Sequence, residues 1–81
     1  MTSTYLLVST LPGMQRKVFE RISSLPHVQA ETILFGEQIA VQLDPLADAH
    51  ADPARLASID GVVEARAYRG DHAWTVRNRL N

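Results

Sequence analysis

Residues 5–14 are Tyr5-Leu6-Leu7-Val8-Ser9-Thr10-Leu11-Pro12-Gly13-Met14, a predicted strand followed by the start of a predicted helix. The first four residues are apolar on both alternating faces, which is typical of a strand in the middle of a sheet. Pro12-Gly13 then interrupts the extended chain. Beyond this point, apolar residues recur at helical spacing and predict an amphipathic helix of about three turns. Its inner face consists of Met14, Val18, Ile22 and Leu25, widened by Phe19.

Two further strands are predicted after this helix. Leu25-Pro26 ends the helix, because proline disfavours helical dihedrals in the residue before it. The alternating residues at 28–35 and 39–43 then predict two extended segments. The turn Gly36-Glu37-Gln38 between them predicts a β-hairpin.

The second half of the chain predicts one short helix and one strand. We expect the helix to begin at Asp52, which caps it, with Pro53 at the first helical position, and to end at Asp60-Gly61. Residues 62–68 then form a strand, residues 69–72 a turn, and residues 74–76 a last extended piece. Trp74 in that piece is expected to pack against the sheet edge or a subunit contact rather than to stack on a ligand.

This order, β-α-β-β-α-β, predicts a single α+β domain of ferredoxin-like, split-βαβ type over residues 1–81. The core covers about residues 4–68, and residues 69–81 form a C-terminal extension. The first and third strands are central in an antiparallel sheet, two helices cover one face, and the other face is open. We expect this open face to be the contact of a homodimer or higher homo-oligomer, through Tyr5, Leu7 and Val41.

Composition and charge exclude several classes of partner. The chain has 8 Lys and Arg against 9 Asp and Glu, and a net charge of −1 creates no long-range attraction for nucleic acid or an anionic membrane. It has no cysteine, which excludes disulfides, thiolate metal sites and cysteine nucleophiles. The N-terminus lacks the pattern of a signal peptide, and the longest apolar run is too short to span a bilayer. We therefore expect a cytoplasmic protein without direct contacts to nucleic acid or membrane.

Candidate metal ligands are dispersed along the chain. His27, His50 and His72 lie more than twenty residues apart and lack the spacing of a helical zinc site. Asp44, Asp48, His50 and Asp52 are the one cluster of possible ligands for a hard cation. This segment lacks the glycine and the acidic twelfth position of an EF-hand loop, and we expect a solvated loop without a metal.

Candidate catalytic groups are also dispersed. Glu31 and Glu64 share an apparent face, but they lie on predicted strands at opposite edges of the sheet, too far apart for acid–base catalysis. No serine lies in a nucleophile elbow, and the isolated glycines form no phosphate-binding loop. The sequence therefore predicts a protein that is not an enzyme and uses no cofactor.

Several short motifs resemble the RAM-type effector-binding domain of the feast/famine, or Lrp/AsnC, regulators. They are the stretch at residues 5–14, Ile-Ser-Ser-Leu-Pro-His-Val at residues 22–28, Phe35-Gly36-Glu37 before an aliphatic strand, and Ile-Asp-Gly-Val-Val at residues 59–63. The resemblance covers about residues 4–68. It implies a bacterial domain for transcription regulation that pairs through its open sheet face and binds amino-acid-like effectors near the loop before the third strand.

Carried over by position, the effector loop of that family corresponds to Gly36, Glu37 and Gln38 in this chain. The full-length regulators carry a helix-turn-helix domain before this module, and this sequence contains none. The resemblance is therefore to the stand-alone members, for which direct DNA binding is not expected.

A second resemblance is to the NapD-type cytoplasmic maturation chaperones, which bind the twin-arginine signal peptide of a redox enzyme. The shared features are chain length, topology, the Leu25-Pro26-His27-Val28 spacing and the Gly61-Val62-Val63 strand. This resemblance implies that a peptide partner adds to an exposed edge or face of the sheet. An unrelated ferredoxin-like interaction subunit is the third alternative.

Overall fold

The computed structural model describes residues 2–79, which form the predicted strands and helices in the predicted order, followed by one additional strand. The elements are β1 (Thr4–Thr10), α1 (Gln15–Ser23), β2 (Val28–Leu34), β3 (Gln38–Leu43), α2 (Ala51–Ala57), β4 (Val62–Arg69) and β5 (His72–Arg77). Leu80 and Asn81, at the end of the predicted C-terminal extension, lie outside the described residues.

The five strands form one antiparallel sheet in the order β2-β3-β1-β4-β5. This confirms the predicted α+β, ferredoxin-like class, with β1 and β3 inside the sheet. The expectation that residues 62–68 form an edge strand is wrong, because β5 pairs with β4 and takes the edge position. Gly70 and Asp71 make a two-residue hairpin turn between Arg69 and His72, and Gly70 supplies the positive φ of +62° that such turns require.

The hydrophobic core lies between the two helices and one face of the sheet. Alternate residues of the central strands point into it, and each is at most 2% exposed: Leu6 and Val8 from β1, and Ile39, Val41 and Leu43 from β3. Val18 and Ile22 of α1 and Leu56 of α2 cover them from above. Small side chains, Ala65 and Ala67, line β4 beneath the helices.

Val41 does not lie on the open face, where we predicted it. Its register partner in β1 is Leu6, and residues directly opposite each other in an antiparallel pair point to the same side of the sheet. Leu6 faces the helices, so Val41 is buried in the core at 2% exposure. Ala40 and Gln42, on either side of Val41, occupy the open face instead.

The second helix begins two residues earlier than predicted, at Ala51 instead of Pro53, and Asp52 does not cap it. His50 holds the cap position without a side-chain cap, and the helix begins at Ala51. Asp48 accepts hydrogen bonds from the backbone N–H groups of His50 and Ala51, at 2.8 and 2.7 Å. These two bonds, first that from Ala51, lower the pKa of the Asp48 carboxyl from its usual value. Asp52 is buried, and its carboxylate accepts the N–H of Asp48 at 2.7 Å.

Candidate functional site

The open face of the sheet lies opposite the two helices, and no other element of the described chain covers it. The strand registers arrange its side chains in three rows of five. The loop row is Leu34, Gln38, Ser9, Glu64 and Arg77. The middle row is Thr32, Ala40, Leu7, Arg66 and Thr75. The tyrosine row is Ala30, Gln42, Tyr5, Tyr68 and Ala73.

The face has an apolar centre with large exposed rings. Tyr5 is 52% exposed and Tyr68 is 40% exposed, although the two are direct neighbours in the register of β1 and β4. Leu7 is half-buried at the centre of the middle row. The predicted contact residues Tyr5 and Leu7 therefore lie on the open face, and their role in a dimer remains a prediction.

Small side chains leave two depressions in this face. The larger, of about 230 Å³, lies over β2, β3 and β1. Its lining on the open face consists of Tyr5, Ala30, Thr32, Ala40 and Gln42. The smaller, of about 160 Å³, lies over β4 and β5 beside Arg66 and Tyr68. Two of these residues are alanines, whose methyl groups reach less far from the sheet than the neighbouring Tyr5 ring.

One of the two arginines on the open face forms an ion pair within the described chain, and the other does not. Glu64 and Arg77 lie opposite each other in the loop row, with 3.8 Å between Oε1 and Nη2. Arg66 is exposed in the middle row and forms no ion pair with any residue that the structure describes. Of the two arginines on the open face, Arg77 forms an ion pair and Arg66 forms none within the described chain.

The predicted effector loop lies at the tip of the β2–β3 hairpin, beyond the loop row. Gly36 and Glu37 have positive φ values of 72° and 61°. The Glu37 carbonyl accepts hydrogen bonds from both the backbone N–H of Thr10, at 2.9 Å, and its hydroxyl, at 3.2 Å. Gln15 Nε2 donates to the carbonyls of Leu34 and Gln38, at 2.9 and 2.8 Å. The end of β1 and the start of α1 thus fix the loop backbone.

The side chains of this loop remain exposed. Gly36 and Glu37 are exposed, and Gln38 is half-buried in the loop row. Phe35 at the tip is 99% exposed, which sequence analysis did not single out because the residue continues the alternation of β2. Gly36 and Glu37 therefore lie in a fixed loop, the adjacent Gln38 begins β3, and effector binding by these three residues remains a prediction.

Two of the three dispersed histidines come together around Trp74. The His72 and Trp74 ring centroids are 5.1 Å apart, and those of His50 and Trp74 are 6.1 Å apart. Trp74 pairs in register with Ala67 on the helix side, where it packs against the core at the edge of the sheet. His27 lies elsewhere, in the turn before β2, with a φ of 70°.

The acidic segment at residues 44–52 forms hydrogen-bonded turns. Asp44 Oδ1 accepts the N–H of Leu46 at 2.8 Å, and Asp48 and Asp52 accept backbone N–H groups as described above. Arg55 lies 3.9 Å from the Asp52 carboxylate. Among the described residues, no group of three or more His, Asp or Glu side chains is arranged to hold a metal ion.

Glu31 and Glu64 lie on opposite faces of the sheet, so the apparent shared face is wrong. Glu31 pairs in register with Val41 and points toward the helices, where it accepts a hydrogen bond from the Ser23 hydroxyl. Glu64 pairs with Ser9 and lies on the open face. The bulge between Val28 and Ala30 shifts the alternation of β2 relative to the sequence pattern.

The strand order and the uncovered face define this chain as a ferredoxin-like α+β domain, and solved structures share that fold. TTHA0845 from Thermus thermophilus aligns with a TM-score of 0.71 and 15% identity, covering 91% of this chain and 98% of its own. FFRP-DM1 aligns with a TM-score of 0.65 and 18% identity, covering 86% of this chain and 99% of its own. A hypothetical protein from Pyrococcus horikoshii, PHS023, aligns with a TM-score of 0.64 and 18% identity, covering 89% and 92%.

At these identities the likeness shows the fold alone. No protein-family model matches the chain, and no curated protein sequence matches it significantly. No helix within residues 2–79 has the length and apolar character needed to cross a membrane.

Proposed function

We propose that this chain is a non-catalytic module that associates with itself through the open face and binds a small amino-acid-like effector at the loop of Gly36, Glu37 and Gln38. The observation that supports this most is the open face itself. It leaves Tyr5 and Tyr68 at 52% and 40% exposure on two neighbouring inner strands of the sheet. Exposed apolar patches of this kind on small domains mark interaction sites.

The structural likeness agrees with this function. FFRP-DM1 carries in its name the abbreviation for feast/famine regulatory protein, and 99% of its chain is covered by the alignment. The short motifs that resemble that family include Phe35-Gly36-Glu37, which forms the fixed hairpin tip. A fixed backbone suits effector binding, since little conformational entropy is lost when a ligand binds a preorganised loop.

The first experiment measures the oligomeric state by light scattering at micromolar concentration. We expect a mass of at least twice the 9.0 kDa of one chain. Leu7→Arg places a charge at the centre of the middle row and is expected to yield monomers. Leu46→Arg is the matched control, because Leu46 is 73% exposed in the segment before α2, away from the open face. A monomeric wild-type protein would refute self-association.

The second experiment measures effector binding by thermal shift with each of the twenty amino acids. A ligand at 100 times its dissociation constant stabilises the folded state by about 2.7 kcal/mol, which is readily detected. Glu37→Gln is expected to reduce the shift, because an exposed carboxylate at the loop can pair with the ammonium group of an amino acid. Glu20→Gln on the exposed side of α1 is the control. No shift with any amino acid would refute this effector class.

A maturation chaperone of NapD type is the second candidate, favoured by the uncovered edge of β2. Within residues 2–79 β2 pairs with β3 alone, so the outward-directed N–H and C=O groups of alternate residues in this seven-residue strand can accept an added strand. A monomer that is stabilised by a twin-arginine signal peptide, and by no amino acid, would select this function over the first.

A further inference from the structure

The smaller depression of the open face is bordered by polar side chains that have no partner within the described chain. It has a volume of about 160 Å³ over β4 and β5, and its lining consists of Arg66, Tyr68, Ala73, Trp74 and Thr75. Within residues 2–79, the Arg66 guanidinium and the hydroxyls of Tyr68 and Thr75 form no hydrogen bond or ion pair. Hydrogen-bond donors from three side chains therefore border one depression, and the described chain leaves them without acceptors.

The strand register places these donors on the same side of the sheet. Arg66 and Thr75 are direct partners in the middle row, so their Cβ atoms are about 5 Å apart. Tyr68 lies two residues farther along β4, about 6.8 Å from Arg66, in the tyrosine row. Its partner across the strands is Ala73, whose short side chain leaves the space beside the Tyr68 ring open. Two paired strands, rather than a loop, therefore determine the positions of the donors.

The charges on this part of the open face add up to one positive charge. Arg66 and Arg77 are positive, and Glu64 is negative. Glu64 lies 3.8 Å from Arg77 and two strand residues, about 6.8 Å, from Arg66. Asp71 lies in the hairpin turn, four residues from Thr75, and the roughly 13 Å of strand between them exceeds the screening length of about 8 Å at physiological ionic strength. A singly charged anion therefore matches this surface better than a doubly charged one.

We infer that this depression binds the carboxylate of a small organic acid. The planar guanidinium of Arg66 can donate two parallel hydrogen bonds to the two oxygens of a carboxylate. The hydroxyls of Tyr68 and Thr75 can donate to the remaining lone pairs. The apolar part of the acid then lies against the Tyr68 ring and the Ala73 methyl group, which line the same depression.

This site is separate from both parts of the proposed function. The proposed effector loop connects β2 and β3, and β1 lies between those strands and β4 in the sheet. All lining residues of the depression belong to one chain, so carboxylate binding does not require self-association.

The first test is a titration with sodium benzoate, followed through the backbone amide signals in NMR spectra. We expect saturable shifts at residues 66, 68, 73 and 75. Benzamide is the control, because it has nearly the same shape without the charge. It is expected to bind at least about tenfold more weakly, since hydrogen bonds between charged groups are about twice as strong as neutral ones. The protein is diluted until light scattering shows a monomer, so that no second copy covers the site.

Charge variants provide the second test, and two of them have opposite expected effects. Arg66→Gln is expected to raise the dissociation constant of benzoate at least about tenfold, because the guanidinium is lost. Glu64→Gln is expected to lower this constant about twofold to threefold, because it removes a competing carboxylate and releases Arg77. Arg16→Gln, on the exposed side of α1, is the control for net charge and is expected to leave the constant unchanged. Circular dichroism verifies that every variant is folded.

The outcomes separate this inference from the proposed function. Shifts with benzoate no larger than those with benzamide, or unchanged affinity in Arg66→Gln, would show that Arg66 is only a solvated side chain. Inorganic phosphate that binds more tightly than benzoate would overturn the assignment to a carboxylate. A protein that dimerises and binds an amino acid but not benzoate would refute this inference alone. A monomer at every concentration that binds benzoate would support it and refute self-association.

Discussion

The two faces of the sheet differ in the polarity of their side chains, although every strand contributes to both. On the covered face the central strands β1 and β3 supply only Leu, Ile, Val and Thr side chains, all but Thr10 at most 2% exposed. On the open face alanines, threonines, glutamines and charged residues surround Leu7 and two tyrosines. Packing against the helices determines the covered face, since close-packed interiors tolerate few substitutions. The open face has no such constraint within the described chain, which is why alanine, threonine, glutamine and charged side chains are found there.

The sharpest test of this comparison uses two adjacent leucines. Leu6 is 2% exposed on the covered face, and Leu7 is half-buried on the open face. Leu6→Ala is expected to lower the free energy of unfolding by about 3–4 kcal/mol, because it leaves a cavity beside Val41 and the helices. Leu7→Ala is expected to cost about 1 kcal/mol or less in a monomer, since a half-buried side chain leaves no enclosed cavity. Denaturant unfolding measures both.

The dependence on protein concentration completes this test. The loss at Leu6 should be the same at low and high protein concentration, since it arises inside one chain. If the protein associates through the open face as proposed, the loss at Leu7 should grow with concentration, because a dimer gains stability by mass action and a monomeric variant does not. Equal losses at the two positions would contradict the assignment of the faces.

The covered face could be derived from the sequence, since its residues repeat with the periods of a strand and a helix. Residues 5–8 and the repeat from Met14 to Leu25 identified β1 and α1 without further information. The error at Val41 shows the limit of this reasoning. Alternation shows which residues of one strand share a face, but the register between strands determines which of the two sets lies beside Leu6.

The candidate site depends on features that no local pattern encodes. The depression arises because Ala30 and Ala40 come from two strands and lie beside Tyr5 from a third. The exposure of Phe35 depends on where β2 ends, and element boundaries are the least predictable part of a sequence analysis. The pairing of β5 with β4, which carries Arg77 to Glu64, required the Gly70 turn to bring the extension back along the sheet.

A glycine at the edge of the covered face gives the next largest effect. Gly61, in the turn before β4, has a φ of +97°, and a Cβ there would lie 2.9 Å from Met14 Cε and 3.1 Å from Val18 Cγ2. Gly61→Ala is therefore expected to cost about 2–3 kcal/mol, from the left-handed backbone and from crowding against α1.

The control for this prediction is Gly13→Ala. Gly13 has a φ of +81°, and nothing lies within 4 Å of a Cβ built there, so it carries the backbone strain without the crowding. The difference between the two variants in thermal unfolding measures how tightly α1 packs on the covered side. Equal destabilisation would show that crowding at Met14 and Val18 contributes nothing.

The smallest expected effect concerns the segment between β3 and α2. Two backbone N–H bonds, from Ala51 and His50, lower the pKa of Asp48 from its usual value near 3.8. A carboxyl whose pKa is lower in the folded state stabilises the fold above its unfolded pKa, and this contribution disappears as the pH falls through the lower, folded value. Asp48→Asn keeps an acceptor oxygen but removes the charge.

The wild-type protein should therefore be more stable than Asp48→Asn at pH 6, and the difference should shrink as the pH is lowered below about 3.8. Thermal unfolding at pH 6 and at acidic pH measures it. Asp60→Asn is the control, because Asp60 is exposed in the turn after α2 and accepts no backbone hydrogen bond within residues 2–79. A difference that is independent of pH would mean that Asp48 acts by its hydrogen-bond geometry alone. The start of α2 would then owe nothing to the Asp48 charge.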